Sequence, residues 1–182
     1  QMSVPAVLVN NAGVDQPPDS AGSRHHLHDL PIDQFRRMVE VNLLGTFQVI
    51  QVFGERMATH GRGSIINISS IYGVVSNDPT IYAGTSMVQP PTYNFVKAGM
   101  INFTRYLACY YGKQGVRANC ISPGGYFDDQ PQPFVDQYCR RVPVGRMLGN
   151  DDIQGAVVFL ASDASAYVTG LNLMVDGGWT CL

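Results

Sequence analysis

The stretch VPAVLVNNAG, residues Val4–Gly13, is a short apolar run that passes directly into Asn-Asn-Ala-Gly. Three later runs have the same character, mostly apolar and without strict alternation of polar residues. That pattern is typical of strands that are covered on both faces, as in parallel sheets. The four runs predicted to be strands are Ala6–Val9, Ser64–Ser69, Arg117–Ser122 and Leu171–Val175.

Segments with helical spacing of apolar residues separate the predicted strands. The longest, Ile32–Met57, has an acidic first turn around Asp33, which suits the positive end of a helix dipole. A second runs over Tyr93–Gly112, and a third follows Asn150-Asp-Asp and extends to about Leu160. Because consecutive parallel strands need a crossover connection, the alternation predicts an α/β fold that forms a single domain over residues 1–182.

Three connecting segments are rich in Pro, Gly, Asp and Ser, and we predict that they are loops. In an open parallel sheet, ligands bind beyond the carboxyl ends of the strands. These segments leave from those ends or follow closely after them. The expected walls of a ligand site are therefore Asp15–Pro31, Tyr72–Pro91 and Pro123–Pro133.

The composition excludes several classes of partner. The net charge is −2 and no Lys/Arg run occurs, so the charge pattern of a nucleic-acid-binding protein is absent. No apolar run approaches the ~20 residues of a membrane span, which favours a cytoplasmic protein without membrane contact. Only 14% of the residues are charged, against roughly 25% in average domains. We therefore expect part of the surface to be buried between copies of the chain.

The segment Tyr93-Asn-Phe-Val-Lys97 places a phenol and an ammonium group four residues apart, and hence on one face of a helix. A free tyrosine titrates near pH ~10, and an adjacent positive charge favours the phenolate and lowers that pKa towards the working range of an acid/base catalyst. The same spacing also arises by chance on many helix surfaces, so it does not identify a site by itself.

Further polar residues stand at positions where structure alone does not require them. Ser69 and Ser70 end the run from Gly63, where they could serve as hydrogen-bonding groups or as simple turn formers. Asn42 and Gly45 are poor helix formers inside an otherwise good helix, which suggests a bend, a close approach or a polar task. Glycines follow the third and fourth predicted strands, where they allow the backbone to approach a ligand or merely to turn.

Taken together and in order, these motifs closely resemble those of the short-chain dehydrogenases/reductases. The resemblance runs nearly from end to end and implies a Rossmann-type, doubly wound parallel sheet. It also implies NAD or NADP as cofactor and hydride exchange between an alcohol and a carbonyl on a small-molecule substrate. The two long helices correspond to those that pair between subunits of the family, which implies a homodimer or homotetramer. The matching segments are Asn10–Gly13, Asn42, Gly63–Ser70, Tyr93 with Lys97, Arg117–Gly124, and Val168–Gly170 through Val175–Gly178.

The resemblance also implies a role for individual residues. Tyr93 would be the acid/base, and Lys97 would lower its pKa and hold the nicotinamide ribose. Ser70 would hydrogen-bond the substrate oxygen, and Asn42 would hold a water that links Lys97 to solvent. The cofactor would pass Asn10, Asn11, Ala12 and Gly13 with its adenosine half, and Tyr93, Lys97, Pro123, Gly124 and Tyr126 with its nicotinamide half.

The sequence departs from the family pattern in two places. No glycine-rich β-α-β unit precedes Val4, so we expect Ala6–Val9 to correspond to the fourth strand of the family's sheet. We also expect a chain of only these residues to bind dinucleotide weakly or not at all. Ser70 and Tyr93 stand 23 positions apart, more than the commonest family spacing. The longer loop favours a large or polar substrate such as a sugar, with acyl or steroid substrates still open.

Two alternatives complete the set of hypotheses. The segment His25-His-Leu-His28 has paired histidines but no acidic or cysteine partner at zinc-like spacing, so we expect a solvated loop and no metal. Loss of the phosphate-binding turn would suit a catalytically silent remnant that acts as an oligomerising or binding scaffold. Retention of Tyr93 and Lys97 favours the enzyme, because a scaffold has no use for a tuned phenol.

Overall fold

The computed structural model describes residues 4–15, 27–88 and 91–181. Within them, four parallel strands form one sheet in chain order. This confirms the predicted α/β class, and the ends of the strands differ from the prediction by no more than one residue. The strands are β1 (Val7–Asn10), β2 (Gly63–Ile68), β3 (Val116–Pro123) and β4 (Asn172–Val175).

Helices connect the strands and cover both faces of the sheet. They are α1 (Ile32–Val39), α2 (Thr46–His60), α3 (Pro91–Tyr111), α4 (Gln132–Arg141) and α5 (Gln154–Ala161). Short 3₁₀ turns lie at Ile71–Gly73, Pro79–Tyr82, Gly112–Gln114, Asp163–Ser165 and Trp179–Cys181. The predicted helices Ile32–Met57 and Tyr93–Gly112 are therefore observed with small changes at their ends.

Two helices differ from the prediction for identifiable reasons. The start of α5 lies at Gln154 rather than near Asn150, because Asp152 accepts hydrogen bonds from the Gly149 amide and from Arg146 and holds the preceding residues in turns. No helix is predicted from the sequence at α4, and the predicted loop Pro123–Pro133 overlaps its first two residues. Pro133 lies in the first turn of α4, the one part of a helix where a missing N–H is harmless.

The long helix from Ile32 is interrupted by one wider turn. Residues Glu40–Gly45 form a π-helical segment between α1 and α2. Segments of π-helix are rare in proteins, and many of those that occur lie at functional sites. The two poor helix formers noted in the sequence, Asn42 and Gly45, both lie in it, which accounts for their presence in a helix.

Apolar side chains fill the space on both faces of the sheet. Ile65 packs with Met57 and Leu107 on one face, whereas Ile66 packs with Ile121 and Leu160 on the other. Successive residues of a strand point to opposite faces, and both isoleucines are 0% exposed. Coverage of both faces explains why the strand sequences do not alternate between apolar and polar residues.

A chain of buried polar side chains also crosses the core. The Asn10 amide donates to Asn67 Oδ1 at 2.8 Å, the Asn67 amide donates to Thr104 Oγ1 at 2.8 Å, and Thr104 donates to the Met100 carbonyl at 2.8 Å. This chain joins β1, β2 and α3, and each buried amide in it has a partner, as buried polar groups require.

Within the described ranges, no helix is long and apolar enough to cross a membrane. The four cysteines are free thiols.

Candidate active site

A cavity of about 560 Å³ opens at the carboxyl ends of the strands. Its described walls come from the ends of β2 and β3, the first turns of α3, and the segments that follow those strands. The volume lies within the range of small-molecule sites. The cavity occupies the place that strand topology predicts for a ligand.

Tyr93 and Lys97 both line this cavity, one turn apart on α3. The Lys97 Nζ lies 5.5 Å from the centre of the Tyr93 ring. It donates a hydrogen bond to the Ile68 carbonyl at the end of β2, at 3.2 Å. The predicted pairing of a phenol with an ammonium group on one helix face is therefore present.

The two serines at the end of β2 have different partners. The Ser70 Oγ accepts the Tyr72 backbone N–H at 3.2 Å, and Ser70 lies close enough to the Tyr93 phenol to lower its pKa. The Ser69 Oγ instead donates to the Lys97 carbonyl at 2.8 Å. Ser70 thus meets the reactive end of Tyr93, whereas Ser69 fastens the end of β2 to α3.

Gly73 allows the turn that follows the two serines, Ile71–Gly73, to lie against α3. A Cβ added at Gly73 would lie 2.8 Å from the Lys97 carbonyl carbon and carbonyl oxygen and from Ser69 Oγ. Because real Cβ atoms do not approach a backbone so closely, any larger residue would push the serine turn away from Lys97.

The electrostatics of the site are dominated by burial. Burial, as the largest cause, and the Asp15 carboxylate together raise the pKa of Tyr93 to about 12, while Ser70 opposes both effects. Burial also lowers the pKa of Lys97, with Asp15 opposing it. The ammonium group of Lys97 lies over the Tyr93 ring and donates to Ile68, and its lowering of the Tyr93 pKa stays a prediction.

Asn42 does not line the cavity in the described structure. Its side-chain amide accepts from the Val14 N–H at 3.0 Å and donates to the Val14 carbonyl at 2.9 Å. The π-helical segment therefore holds the residues that follow β1. The close approach depends on Gly13, since a Cβ there would lie 2.6 Å from Asn42 Oδ1.

The residues assigned by resemblance to the cofactor divide into two groups. Asn11, Pro123, Gly124 and Tyr126 line the cavity together with Tyr93 and Lys97. Asn10, Ala12 and Gly13 are not among its lining residues: Asn10 belongs to the buried polar chain, Gly13 faces Asn42, and Ala12 is exposed.

Several lining residues were not singled out in the sequence. Asp15 follows the NNAG motif, Tyr72 follows the two serines, and Tyr82, Phe134 and Tyr138 come from distant segments. Asp15, Tyr72 and Tyr82 belong to the segments that the sequence predicted as walls of the site, although no role was predicted for them individually. Phe134 and Tyr138 reach the cavity through tertiary packing, which residue spacing does not report.

The predicted absence of a metal stays a prediction. His25 and His26 lie outside the described residues. Among the residues that the structure describes, no group of three or more His, Cys, Asp or Glu side chains could hold a metal ion.

Comparison with known proteins gives the family. The family model described as enoyl-(acyl carrier protein) reductase matches residues 3–180, nearly the whole chain. The chain belongs to the short-chain dehydrogenase/reductase family. Among solved structures, this member of the family is similar to a short chain dehydrogenase with bound NAD⁺ from Leptospira borgpetersenii serovar Hardjo-bovis. The TM-score is 0.88 at 41% identity, covering 97% of this chain and 65% of that one.

Curated members of the family with similar sequences act on different alcohols by name. A cis-4-hydroxycyclohexanecarboxylate dehydrogenase from Sinomonas cyclohexanicum is 35% identical over 97% of this chain and 66% of its own length. A galactitol 2-dehydrogenase from Rhizobium johnstonii is 34% identical over 96% of this chain and 65% of its own length. This short-chain dehydrogenase/reductase chain thus spans just under two thirds of the length of these relatives.

Proposed function

We propose that this protein is an NAD(P)-dependent oxidoreductase that interconverts an alcohol and a carbonyl on a sugar-like or other polar substrate. The observation that carries the proposal is the convergence of Ser70, Tyr93 and Lys97 on one cavity. Family membership and the dehydrogenase names of similar proteins support it. These names also give no support to the alternative of a catalytically silent scaffold.

The residues present fit the nicotinamide half of the cofactor. An ammonium group has three donors, and the hydrogen bond from Lys97 to Ile68 uses one of them, which leaves donors for ribose hydroxyls. The main chain of Gly124 and Gly125 borders the same cavity at the end of β3. When bound, the nicotinamide ring supplies the site that gives or accepts hydride.

The protein's own groups would handle the proton. Ser70 donates a hydrogen bond to the substrate oxygen and fixes it beside Tyr93. In carbonyl reduction, Tyr93 gives its hydroxyl proton to that oxygen; in alcohol oxidation, it takes the proton back. The ammonium group of Lys97 favours the phenolate that remains, and we keep Asn42 as the predicted holder of a water that links Lys97 to solvent.

The test is the variant Tyr93→Phe, with NAD(P)H formation or consumption as the readout over a panel of polyols and their ketones. Loss of the proton donor should lower kcat/KM by about 10²–10⁴-fold, with an unchanged circular dichroism spectrum. Tyr110→Phe, on the exposed side of the same helix, is the matched control and should keep full activity. Equal activity of Tyr93→Phe and wild type would overturn the proposal.

A further inference from the structure

We propose that the substrate is an uncharged, polyhydroxylated molecule, a polyol or neutral sugar, rather than a sugar acid, a sugar phosphate or another anion. This inference rests on the proposed function and names the substrate class of the same site. The observation behind it is the balance of charge and aromatic surface in the cavity.

The described walls of the cavity hold only two formally charged side chains, Asp15 and Lys97. Their charges cancel, and Lys97 already has the Ile68 carbonyl and the field of Asp15 facing it. A carboxylate or phosphate taken out of water needs a dedicated cation or several donors. The described lining offers no second cation, and Asp15 repels an anion.

Arginines near this part of the fold are engaged elsewhere. Arg141, on α4, forms an ion pair with Asp78 and lies over the Trp179 ring. Arg146 donates two hydrogen bonds to Asp152, at 2.6 and 2.7 Å. Neither arginine belongs to the lining of the cavity. An anion in the cavity would therefore have to break one of these two ion pairs to gain either guanidinium group as a partner.

The remaining polar groups of the lining are neutral. Five of the described lining residues are tyrosines: Tyr72, Tyr82, Tyr93, Tyr126 and Tyr138. Burial raises the pKa of Tyr72, Tyr82 and Tyr138, so these phenols stay protonated at neutral pH. Tyr126 donates its hydroxyl proton to Asn150 and keeps an acceptor, whereas Tyr138 accepts the Gly125 N–H and keeps its donor. A substrate hydroxyl can pair with a donor or with an acceptor, whereas an anion can use only the donor.

Aromatic faces supply the other half of the recognition. The Tyr82 and Phe134 ring centres lie 5.4 Å apart, and Phe134 and Tyr138 lie 5.8 Å apart, so three rings of the wall form one cluster. The face of an aromatic ring carries partial negative charge, to which the C–H groups of a polyol or sugar are attracted. Rings and neutral hydroxyls together match a molecule that alternates C–H and O–H.

The protein contains a built-in reporter for this cavity. Trp179 is the sole tryptophan of the sequence, and its ring is stacked on that of Tyr138 with centres 4.4 Å apart. A ligand that contacts Tyr138 should therefore change the tryptophan fluorescence. This readout needs no turnover.

The experiment titrates the full chain with galactitol and with galactonate, which differ only in one end group, CH₂OH or carboxylate. Tryptophan fluorescence and saturation-transfer NMR are recorded on the same samples. We expect galactitol to bind about tenfold more tightly than galactonate, a factor that corresponds to about 1.4 kcal/mol. Equal or tighter binding of galactonate, or NMR evidence that neither molecule binds, would overturn the inference.

Two arginine substitutions test whether the charge of the cavity causes the preference for galactitol. Gln130 lines the cavity, whereas Gln132 is exposed at the start of α4 and is not part of the lining. Gln130→Arg should reduce or reverse the preference for galactitol, and Gln132→Arg should leave it unchanged. The same change with both variants, or with neither, would contradict the role of cavity charge.

The outcome for the proposed function is separate. If galactitol binds preferentially but no NAD(P)-linked turnover is seen with any polyol or ketone, the oxidoreductase proposal fails while the binding inference stands. If turnover occurs and favours sugar acids, the oxidoreductase proposal stands and the inference fails.

Discussion

At the scale of single residues, the adjacent serines at the end of β2 have separate tasks. Ser70 is directed to Tyr93, whereas Ser69 binds the main chain of Lys97. Nothing in the sequence Ser-Ser distinguishes them physically, because either could face the cavity until the strand register is known. The family resemblance selected Ser70, and the effect of Ser70 on the Tyr93 pKa agrees with that choice, which stays a prediction.

We predict that Ser70→Ala and Ser69→Ala differ in what they impair. Removing a donor aimed at the reacting oxygen should lower kcat/KM by about 10²–10³-fold for Ser70→Ala. Ser69→Ala should chiefly lower the free energy of unfolding, by about 1 kcal/mol for a lost internal hydrogen bond. Steady-state kinetics and urea denaturation of both variants measure this, and a larger kinetic loss in Ser69→Ala would contradict it.

Asp15 should set the pH range of catalysis. Alcohol oxidation needs the Tyr93 phenolate, so kcat/KM for oxidation should rise with pH below the pKa of Tyr93, which is about 12. The Asp15 carboxylate raises that pKa, and therefore Asp15→Asn should lower it and move the rising limb to lower pH. Carbonyl reduction needs the protonated phenol and should begin to fall at lower pH in the same variant.

The measurement is the pH profile of kcat/KM in both directions. Asp128→Asn is the control, because it removes the same single negative charge at an exposed position outside the cavity lining. A rising limb that stays in place in Asp15→Asn, or that moves equally in both variants, would show that Asp15 does not act on Tyr93.

At the scale of elements, the π-helical segment between α1 and α2 holds the chain that follows β1. It does so through the two hydrogen bonds between Asn42 and the Val14 main chain. The sequence indicated an irregularity here from two poor helix formers in one helix. The sequence did not indicate the hydrogen-bond partner of Asn42. Val14 lies 28 positions away, and an apolar residue gives no sign that its main chain makes a contact.

We therefore predict that Asn42→Ala destabilises the fold by about 1–3 kcal/mol, because Asn42 is buried and its loss leaves the Val14 N–H and carbonyl without these partners. Asn42→Asp keeps the acceptor but sets a buried carboxylate against the Val14 carbonyl, so its cost at neutral pH should be at least as large. Urea denaturation at neutral pH measures both. Wild-type stability in Asn42→Ala would mean that water replaces both hydrogen bonds without cost.

The elements divide clearly into those that sequence reasoning found and those that it missed. The four strands and the two long helices carry dense apolar patterns, and tertiary packing reinforces those patterns. The helix α4 was missed because its segment is polar and rich in proline, and its buried side chains are few: Phe134 and Tyr138. Those two side chains nevertheless form part of the cavity wall.

At the scale of the whole molecule, an aromatic row crosses the outer surface of α2 and α3. The ring centres of Phe47 and Phe103 lie 5.9 Å apart, those of Phe103 and Tyr106 6.1 Å, and those of Tyr106 and Tyr110 5.7 Å. Tyr106 and Tyr110 are each 57% exposed. Aromatic residues are enriched in protein interfaces, and we propose that this surface joins copies of the chain into a dimer or tetramer.

Tyr106→Glu should weaken that assembly, because it places a charge at the centre of the row. Analytical ultracentrifugation across a concentration series should show a lower average mass than for wild type. Tyr167→Glu, at a fully exposed tyrosine elsewhere, should leave the mass unchanged. A monomeric wild type, or equal masses for wild type and Tyr106→Glu, would refute the interface.

The buried amides of β1 and β2 have a consequence for how the sheet is assembled. Asn10 stands opposite Asn67 in the strand pairing, and the two side chains are joined there. A slip of one residue would set Asn10 opposite an isoleucine on either side, and a buried amide left without a partner costs about 1–3 kcal/mol. Apolar strands alone tolerate many alignments. Pairing of these two amides therefore favours the observed register of β1 on β2 over the neighbouring registers. The cavity lies beyond the ends of these strands, so its shape depends on this register.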